Sequence, residues 1–139
     1  DTVTVQNCTT NNLVYKINRN ELLLLSIPET NFPNEVTVVG SPRIVNVNAE
    51  NRIVYRLYSD NVTSTTICSV LPPASPVVQK EWNATGGTIE IITNAIYAAD
   101  GITITSYTHN IKFKNVNFSN PDNSFSFTEY IFGNYVTVL

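Results

Sequence analysis

Hydrophobic and polar residues alternate along this chain in short runs, which are separated by clusters of Asn, Asp, Ser, Gly and Pro. A period of two residues is typical of β-strands, and frequent turn clusters are typical of a β-sandwich or barrel. The pattern gives candidate strands at residues 2–5, 13–17, 21–27, 36–39, 44–48, 52–59, 63–71, 77–82, 88–93, 102–108, 110–118, 125–132 and 135–139. We therefore expect an all-β fold, a two-sheet antiparallel β-sandwich of about ten to twelve short strands, with an up-and-down β-barrel as the alternative.

Three local patterns refine this prediction. The run Leu22–Leu25 shows neither helical nor strand periodicity and fits a strand buried on both faces or a single helical turn, of which we predict the strand. The sequence Ala84-Thr85-Gly86-Gly87 predicts a hairpin turn. Apolar residues change parity between 102–104 and 107–113, which predicts a bulge or turn between Thr105 and Asn110.

The chain length of 139 residues fits one domain that spans residues 1–139. Its most linker-like stretch is Leu71-Pro72-Pro73-Ala74-Ser75-Pro76, because prolines cannot join a central strand. We expect residues 71–76 to be a proline-rich crossover between the two sheets. Two small domains of about 70 residues are the alternative, with less core available to each.

Charged residues make up only 14% of the chain, and the net charge is −3. The basic residues form no stripe that could neutralise phosphates, so nucleic acid is not an expected partner. Lys112 and Lys114 share one strand face, which we interpret as solvated. The longest apolar run, Leu22–Leu25, is far too short to span a bilayer, so no transmembrane segment is predicted.

The two cysteines, Cys8 and Cys68, lack the companions that a zinc site needs. A disulfide between them is the simplest prediction, and two unrelated buried thiols are the alternative. A disulfide indicates an extracytoplasmic compartment: secreted, periplasmic or at the cell surface. Because the chain contains no Met, we expect its start to result from processing or truncation, with a secretory signal or lipid tether upstream.

Candidate catalytic groups are sparse. His109 is the single histidine, and because the sequence contains no G-x-S-x-G elbow, we expect His109 to be a surface or hydrogen-bonded residue. The acids that a glycoside hydrolase could use are Glu81, Glu90, Asp100 and Glu129, but no spacing selects a pair of them. We expect no catalytic residue, no metal site and no cofactor.

Aromatic residues are the remaining candidates for ligand contact, because flat rings can stack on sugars. We name Trp82, Tyr97, Tyr107, Tyr130 and Tyr135, which lie near turns or strand ends in the second half of the chain. Rings of this kind also fill cores, which is the competing interpretation for each.

The cysteine spacing invites comparison with immunoglobulin domains, but Trp82 follows Cys68 instead of preceding it, and the match fails. In its Asn and Thr content, β pattern and missing Met, the chain resembles the small secreted or surface lipoprotein domains of Bacteroidota. We expect a noncatalytic binding or adhesion module for a polysaccharide or a surface protein. The alternative is a structural or assembly subunit that pairs through the terminal strands 2–5 or 135–139, and a glycan-active hydrolase is the third hypothesis.

Overall fold

A computed structural model describes residues 3–9, 11, 13–71 and 73–139. The strands are β1 Gln6–Asn7, β2 Leu13–Asn18, β3 Glu21–Ser26, β4 Arg43–Asn46, β5 Arg52–Tyr58, β6 Val78–Tyr97, β7 Ile104–Ser119 and β8 Ser124–Val138. A short helix, α1, spans Ser64–Cys68, and a 3₁₀ turn spans Glu29–Asn31. Strands account for 57% of the structure and helices for 6%, so the all-β prediction is confirmed. None of the described helices is long and apolar enough to cross a membrane.

The strands form one antiparallel sheet that curls into a half-barrel. Its order is β1-β2-β3-β5-β6-β7-β8. The strands β5 and β4 both pair with the same edge of the long strand β6, one after the other along its length. The register shifts at several points, including opposite Gly86 and beside Lys112. Bulges of this kind bend a strand and increase its twist, which is how one sheet curls around its own core. The predicted two-sheet sandwich is not confirmed.

Several predicted strands and turns differ from the structure. Residues 84–87 are not a hairpin turn, because β6 runs through them, and their glycines make a bulge. Gly87 has φ +117° there, and a Cβ atom would lie 2.6 Å from the carbonyl oxygen of Asn115. The predicted strands at 102–108 and 110–118 merge into β7, and those at 125–132 and 135–139 merge into β8. Residues 36–39 form no strand, and of the predicted strand at 2–5, residue 2 lies outside the described residues while 3–5 lead into β1.

The main core fills the concave side of the curled sheet. It is built from alternate residues of nearly every strand, because successive side chains of a strand point to opposite faces. Its fully buried members include Leu25, Ile53, Ile91, Ile111 and Phe113.

A second, smaller core covers the convex side of β2, β3 and β5. The strand β3 contributes Leu22 and Leu24 to it, while Leu23 and Leu25 face the main core. The four leucines therefore belong to a strand buried on both faces, as predicted. The predicted strand at 63–71 is wrong, because Ser64–Cys68 is the helix α1, which starts with a Thr63–Thr66 capping box.

A disulfide joins Cys8 to Cys68, with Cα atoms 5.4 Å apart. It connects the residue that follows β1 to the last residue of α1. Cys8 is buried in the convex core, and Ile67 and Cys68 pack against that core. The disulfide therefore attaches the helical cover to the sheet edge.

Candidate functional site

A cleft of about 400 Å³ lies on the concave side of the half-barrel, between β8 and the strands β2, β3 and β5. We call it the aromatic cleft. It is lined by one N-terminal residue, four residues of β2 and β3, one of β5 and three of β8: Val3, Lys16, Asn18, Glu21, Leu23, Tyr55, Phe125, Phe127 and Tyr130. Its size is within the range of ordinary small-molecule sites, about 300–1,000 Å³.

Lys16 supplies a buried cation to the aromatic cleft. Its residue is only 5% exposed, and its Nζ donates a hydrogen bond of 2.8 Å to the hydroxyl of Tyr130. The same Nζ lies 5.0 Å from the ring centroid of Tyr130 and 5.7 Å from that of Phe132. These distances fit cation–π contact, which helps to stabilise a charge away from bulk water. The Lys16–Tyr130 bond also joins β2 to β8 across the opening of the half-barrel.

The cleft also has a polar rim, formed by Asn18, Glu21 and Tyr55, which begins two residues after Lys16 on β2. Asn18, which is exposed, pairs in register with Glu21 of β3. The phenol of Tyr55 donates a hydrogen bond to Glu21 Oε1. Burial raises the pKa of the Tyr55 hydroxyl, and the hydrogen bond to Glu21 raises it further. The Tyr55 hydroxyl therefore stays protonated, and the rim presents an amide, a carboxylate and a neutral phenol.

Rings on β8 form the opposite wall. Phe127 stacks on Tyr130 with centroids 4.8 Å apart, and Phe125 packs edge-on against Tyr55 at 5.8 Å. Trp82 stands behind this wall, 5.4 Å from the Tyr55 ring and 5.9 Å from Phe125, and its Nε1 donates to Asn123 Oδ1. The cleft thus combines an aromatic wall on β8 with the buried Lys16 side chain and the polar rim.

The structure separates the five aromatic residues that we named as ligand contacts. Tyr130 lines the aromatic cleft, and Trp82 is buried directly behind it. Tyr135 lines a second, smaller cavity, where its ring packs against Phe32. Tyr97 is 53% exposed at the end of β6, and Tyr107 is half-buried in β7. Among them, Trp82 and Tyr130 are the two associated with the aromatic cleft.

His109 belongs to a buried chain of hydrogen bonds and does not line the aromatic cleft. Its Nδ1 lies 2.7 Å from Thr93 Oγ1, and its Nε2 lies 2.8 Å from Thr137 Oγ1. Thr137 donates its hydroxyl proton to Asn34 Oδ1, so its oxygen accepts from Nε2, and Nδ1 accepts from Thr93. Burial, with the nearby charge of Arg43, lowers the pKa of His109 to about 4. The sequence predicted that His109 is either a surface residue or a hydrogen-bonded one, and it is hydrogen-bonded.

The four acids considered for hydrolysis are each held by neighbouring side chains or backbone groups. Glu81 forms an ion pair with Arg56, with Nε and Oε2 2.6 Å apart, and Glu90 and Glu129 pair with Lys114 and Lys112. Asp100 accepts hydrogen bonds from the Thr103 hydroxyl and from the backbone N–H groups of Ile102 and Thr103 in a turn, which together lower its pKa to about 2. In the part of the chain that the structure describes, no three His, Cys, Asp or Glu side chains group as a metal site would require.

Sequence reasoning missed most of the aromatic cleft. Lys16, Asn18 and Glu21 lie on strands whose concave face is otherwise apolar, and a polar residue at a core-facing position is the signal that could have found them. Phe125 and Phe127 share a face by simple alternation, which points to one aromatic wall. What the sequence did not show is that β2 and β8, more than 100 residues apart, face each other across the cleft.

The sequence and the structure were compared with protein-family models, curated proteins and solved structures. None of the three comparisons found a match.

Proposed function

We propose that this protein is a noncatalytic binding module and that the aromatic cleft is its ligand site. The observation that carries the proposal is the convergence of Lys16, Asn18 and Glu21 on a cavity whose opposite wall is aromatic. Binding sites combine a mostly apolar lining with a few placed polar groups that orient the ligand.

A glycan unit is the ligand class that fits this arrangement. A pyranose ring offers an apolar face for the rings of Phe127 and Tyr130, and hydroxyl groups at its edge for the polar rim. The amide of Asn18 can donate and accept those hydrogen bonds, and the carboxylate of Glu21 can accept them. A surface protein that inserts a side chain is the second ligand class, and the experiment below separates the two.

The distribution of acids supports binding rather than hydrolysis. Glycoside hydrolysis by two carboxylates requires a facing pair at about 5–9.5 Å. Glu21 is the one carboxylate among the described lining residues, and it accepts the hydrogen bond of Tyr55. Glu81, Glu90 and Glu129 are held in ion pairs outside the cleft.

We place this module outside the cytoplasm. The disulfide between Cys8 and Cys68 supports that setting, because such bonds persist where thiols are not kept reduced. The likeness to surface lipoprotein domains and the upstream lipid tether remain predictions. Fractionation of source cells tests them, and recovery of the chain with reduced cysteines from the cytosol would contradict this placement.

The experiment is a binding screen read by two signals. Soluble mono- and oligosaccharides are added to the protein, and the thermal midpoint and the fluorescence of Trp82, the single tryptophan, are followed. Trp82 packs on Tyr55 and Phe125, two rings of the cleft, so a ligand that enters should change its emission. A ligand at 100 times its dissociation constant adds about 2.7 kcal/mol of stability.

A matched pair of variants locates the site. Tyr130→Phe removes a hydroxyl from the cleft, and Tyr97→Phe removes the same group from an exposed position outside it. We expect Tyr130→Phe to weaken binding about fivefold to tenfold, the value of one hydrogen bond, and Tyr97→Phe to leave it unchanged. A sugar panel without any response rejects the glycan ligand, and equal effects of both variants reject the cleft.

A further inference from the structure

The sheet ends on one side in the long strand β8, and the last part of that strand has an open edge. Within the described part of the chain, β8 pairs with β7 alone. The backbone N–H of Leu139 donates to the carbonyl oxygen of Thr105, which fixes the direction of the neighbouring groups. In an antiparallel pair, alternate residues turn their N–H and C=O groups to the same side. Asn134, Val136 and Val138 therefore direct these groups away from β7, and we call residues 134–138 the β8 edge.

The inner face of the β8 edge is already covered. Phe32 packs on the ring of Tyr135, and Asn34 accepts the hydroxyl proton of Thr137. The outer side chains are open, with Val136 50% exposed and Val138 75% exposed. A partner can therefore reach this strand along its edge and its outer face.

The bulge of β8 at Phe132 lies just before residues 134–138, and those residues themselves carry no charge or proline against strand pairing. Edge strands of monomeric proteins commonly carry charges, prolines or a covering element. Residues 130–139 contain neither a charged residue nor a proline, whereas the outer face further along the sheet is charged and held in the ion pairs Lys112–Glu129 and Lys114–Glu90. Two copies of this edge can therefore approach each other along residues 134–138 without repulsion between like charges.

We propose that a second copy of this chain pairs with the β8 edge, antiparallel and about a two-fold axis. Such an interface is self-complementary, because the same patch is used by both copies. A pairing centred on Val136 places that residue opposite its own copy and Val138 opposite Asn134 of the other copy. The two sheets then join into one continuous sheet, and the outward N–H and C=O groups gain partners.

The pairing leaves the aromatic cleft open on each copy, since the cleft lies on the other half of β8, at Phe125, Phe127 and Tyr130. The dimer therefore carries two ligand sites at a fixed spacing. This inference stands on the geometry of the edge and does not depend on what the cleft binds.

The test is the oligomeric state of the full chain from about 1 μM to about 1 mM, measured by sedimentation equilibrium. We expect a monomer–dimer equilibrium, and we expect Val136→Lys to weaken it tenfold or more because two like charges would then face each other. The matched control is Ile92→Lys, which puts the same charge on an exposed site, 40% exposed, of the inner strand β6. The control should dimerise as the original chain does.

Amide hydrogen exchange locates the interface independently of any variant. The N–H groups of Asn134, Val136 and Val138 should exchange more slowly at high protein concentration than at low concentration. A chain that stays monomeric throughout overturns the proposal, and so does a dimer that Val136→Lys leaves intact or that protects another edge instead. If Val136→Lys does not fold, as judged by circular dichroism, Val138→Lys and the exchange measurement decide the matter.

Discussion

His109 shows at the scale of one residue how a buried polar group is satisfied in this core. A neutral imidazole has one donor and one acceptor nitrogen, and Thr137 and Thr93 provide the matching partners. A protonated imidazole would have two donors, and Thr93 already receives a hydrogen bond from Arg43. The low pKa of His109 follows from its burial and from the nearby charge of Arg43.

The first prediction concerns pH. Because the pKa of His109 is about 4 in the folded protein and about 6.5 in an unfolded chain, the unfolded state binds more protons between those values. The stabilisation is complete above about pH 6.5 and is lost as the pH falls through 4. We expect His109→Gln, which cannot titrate, to remove up to about 3 kcal/mol of this pH dependence. Urea denaturation of both proteins from pH 7.5 to pH 4 measures it, and parallel curves would contradict it.

The second prediction concerns Gly133, whose backbone has φ +135° in β8. A Cβ atom there would lie 2.6 Å from Cγ2 of Val5, so Gly133→Ala combines backbone strain with a steric clash. We expect it to lower the free energy of unfolding by about 1–3 kcal/mol. Gly86→Ala is the matched control, because a Cβ at Gly86 meets no atom within 4 Å.

The clash can be separated from the strain with a second substitution. Val5→Ala in the Gly133→Ala background should recover part of the loss, and a double-mutant cycle measures that part. Equal costs for Gly133→Ala and Gly86→Ala would show that Val5 does not pack against Gly133.

At the scale of elements, strands with clear patterns were predictable and the segments that cover them were not. Successive residues of β5 alternate between the two cores, with Ile53 in the main core and Val54 in the convex core. The strand β3 contains a continuous leucine run, which requires burial on both faces. The helix α1 was missed because Ser, Thr and Ile are weak helix formers, so its five residues depend on their capping box and their packing. The Gly86-Gly87 pair was interpreted as a turn, since glycine suits a turn and a bulge alike.

The disulfide is the basis of the third prediction, at this scale. Removing it through Cys8→Ala together with Cys68→Ala frees a segment with a sequence separation of 60 residues. The chain-entropy model gives a loss of about 4 kcal/mol. Denaturation midpoints with and without reductant measure the loss in the original chain, and the double variant should be insensitive to reductant. An unchanged midpoint in the original chain would contradict the prediction.

At the scale of the whole molecule, the sequence predicted the fold class but not the arrangement of the sheet. Alternation and turn residues determine that strands form, whereas the curl depends on bulges near Gly86 and Lys112 that the pattern does not locate. The candidate site was likewise predictable only in part. Tyr130 was among the predicted contacts, but Lys16 and Tyr130 meet only because the first and last strands of the half-barrel face each other.

The central claim is that the aromatic cleft is a ligand site, and its most direct test is chemical-shift mapping by NMR. Isotope-labelled protein is titrated with sugars and with small ring compounds that carry polar groups. We expect saturable shifts concentrated on Lys16, Asn18, Glu21 and Tyr130, with Tyr97 unchanged. Shifts that concentrate around Tyr97, or on the second cavity at Phe32 and Tyr135, would contradict the claim, and so would the absence of any saturable shift across the set.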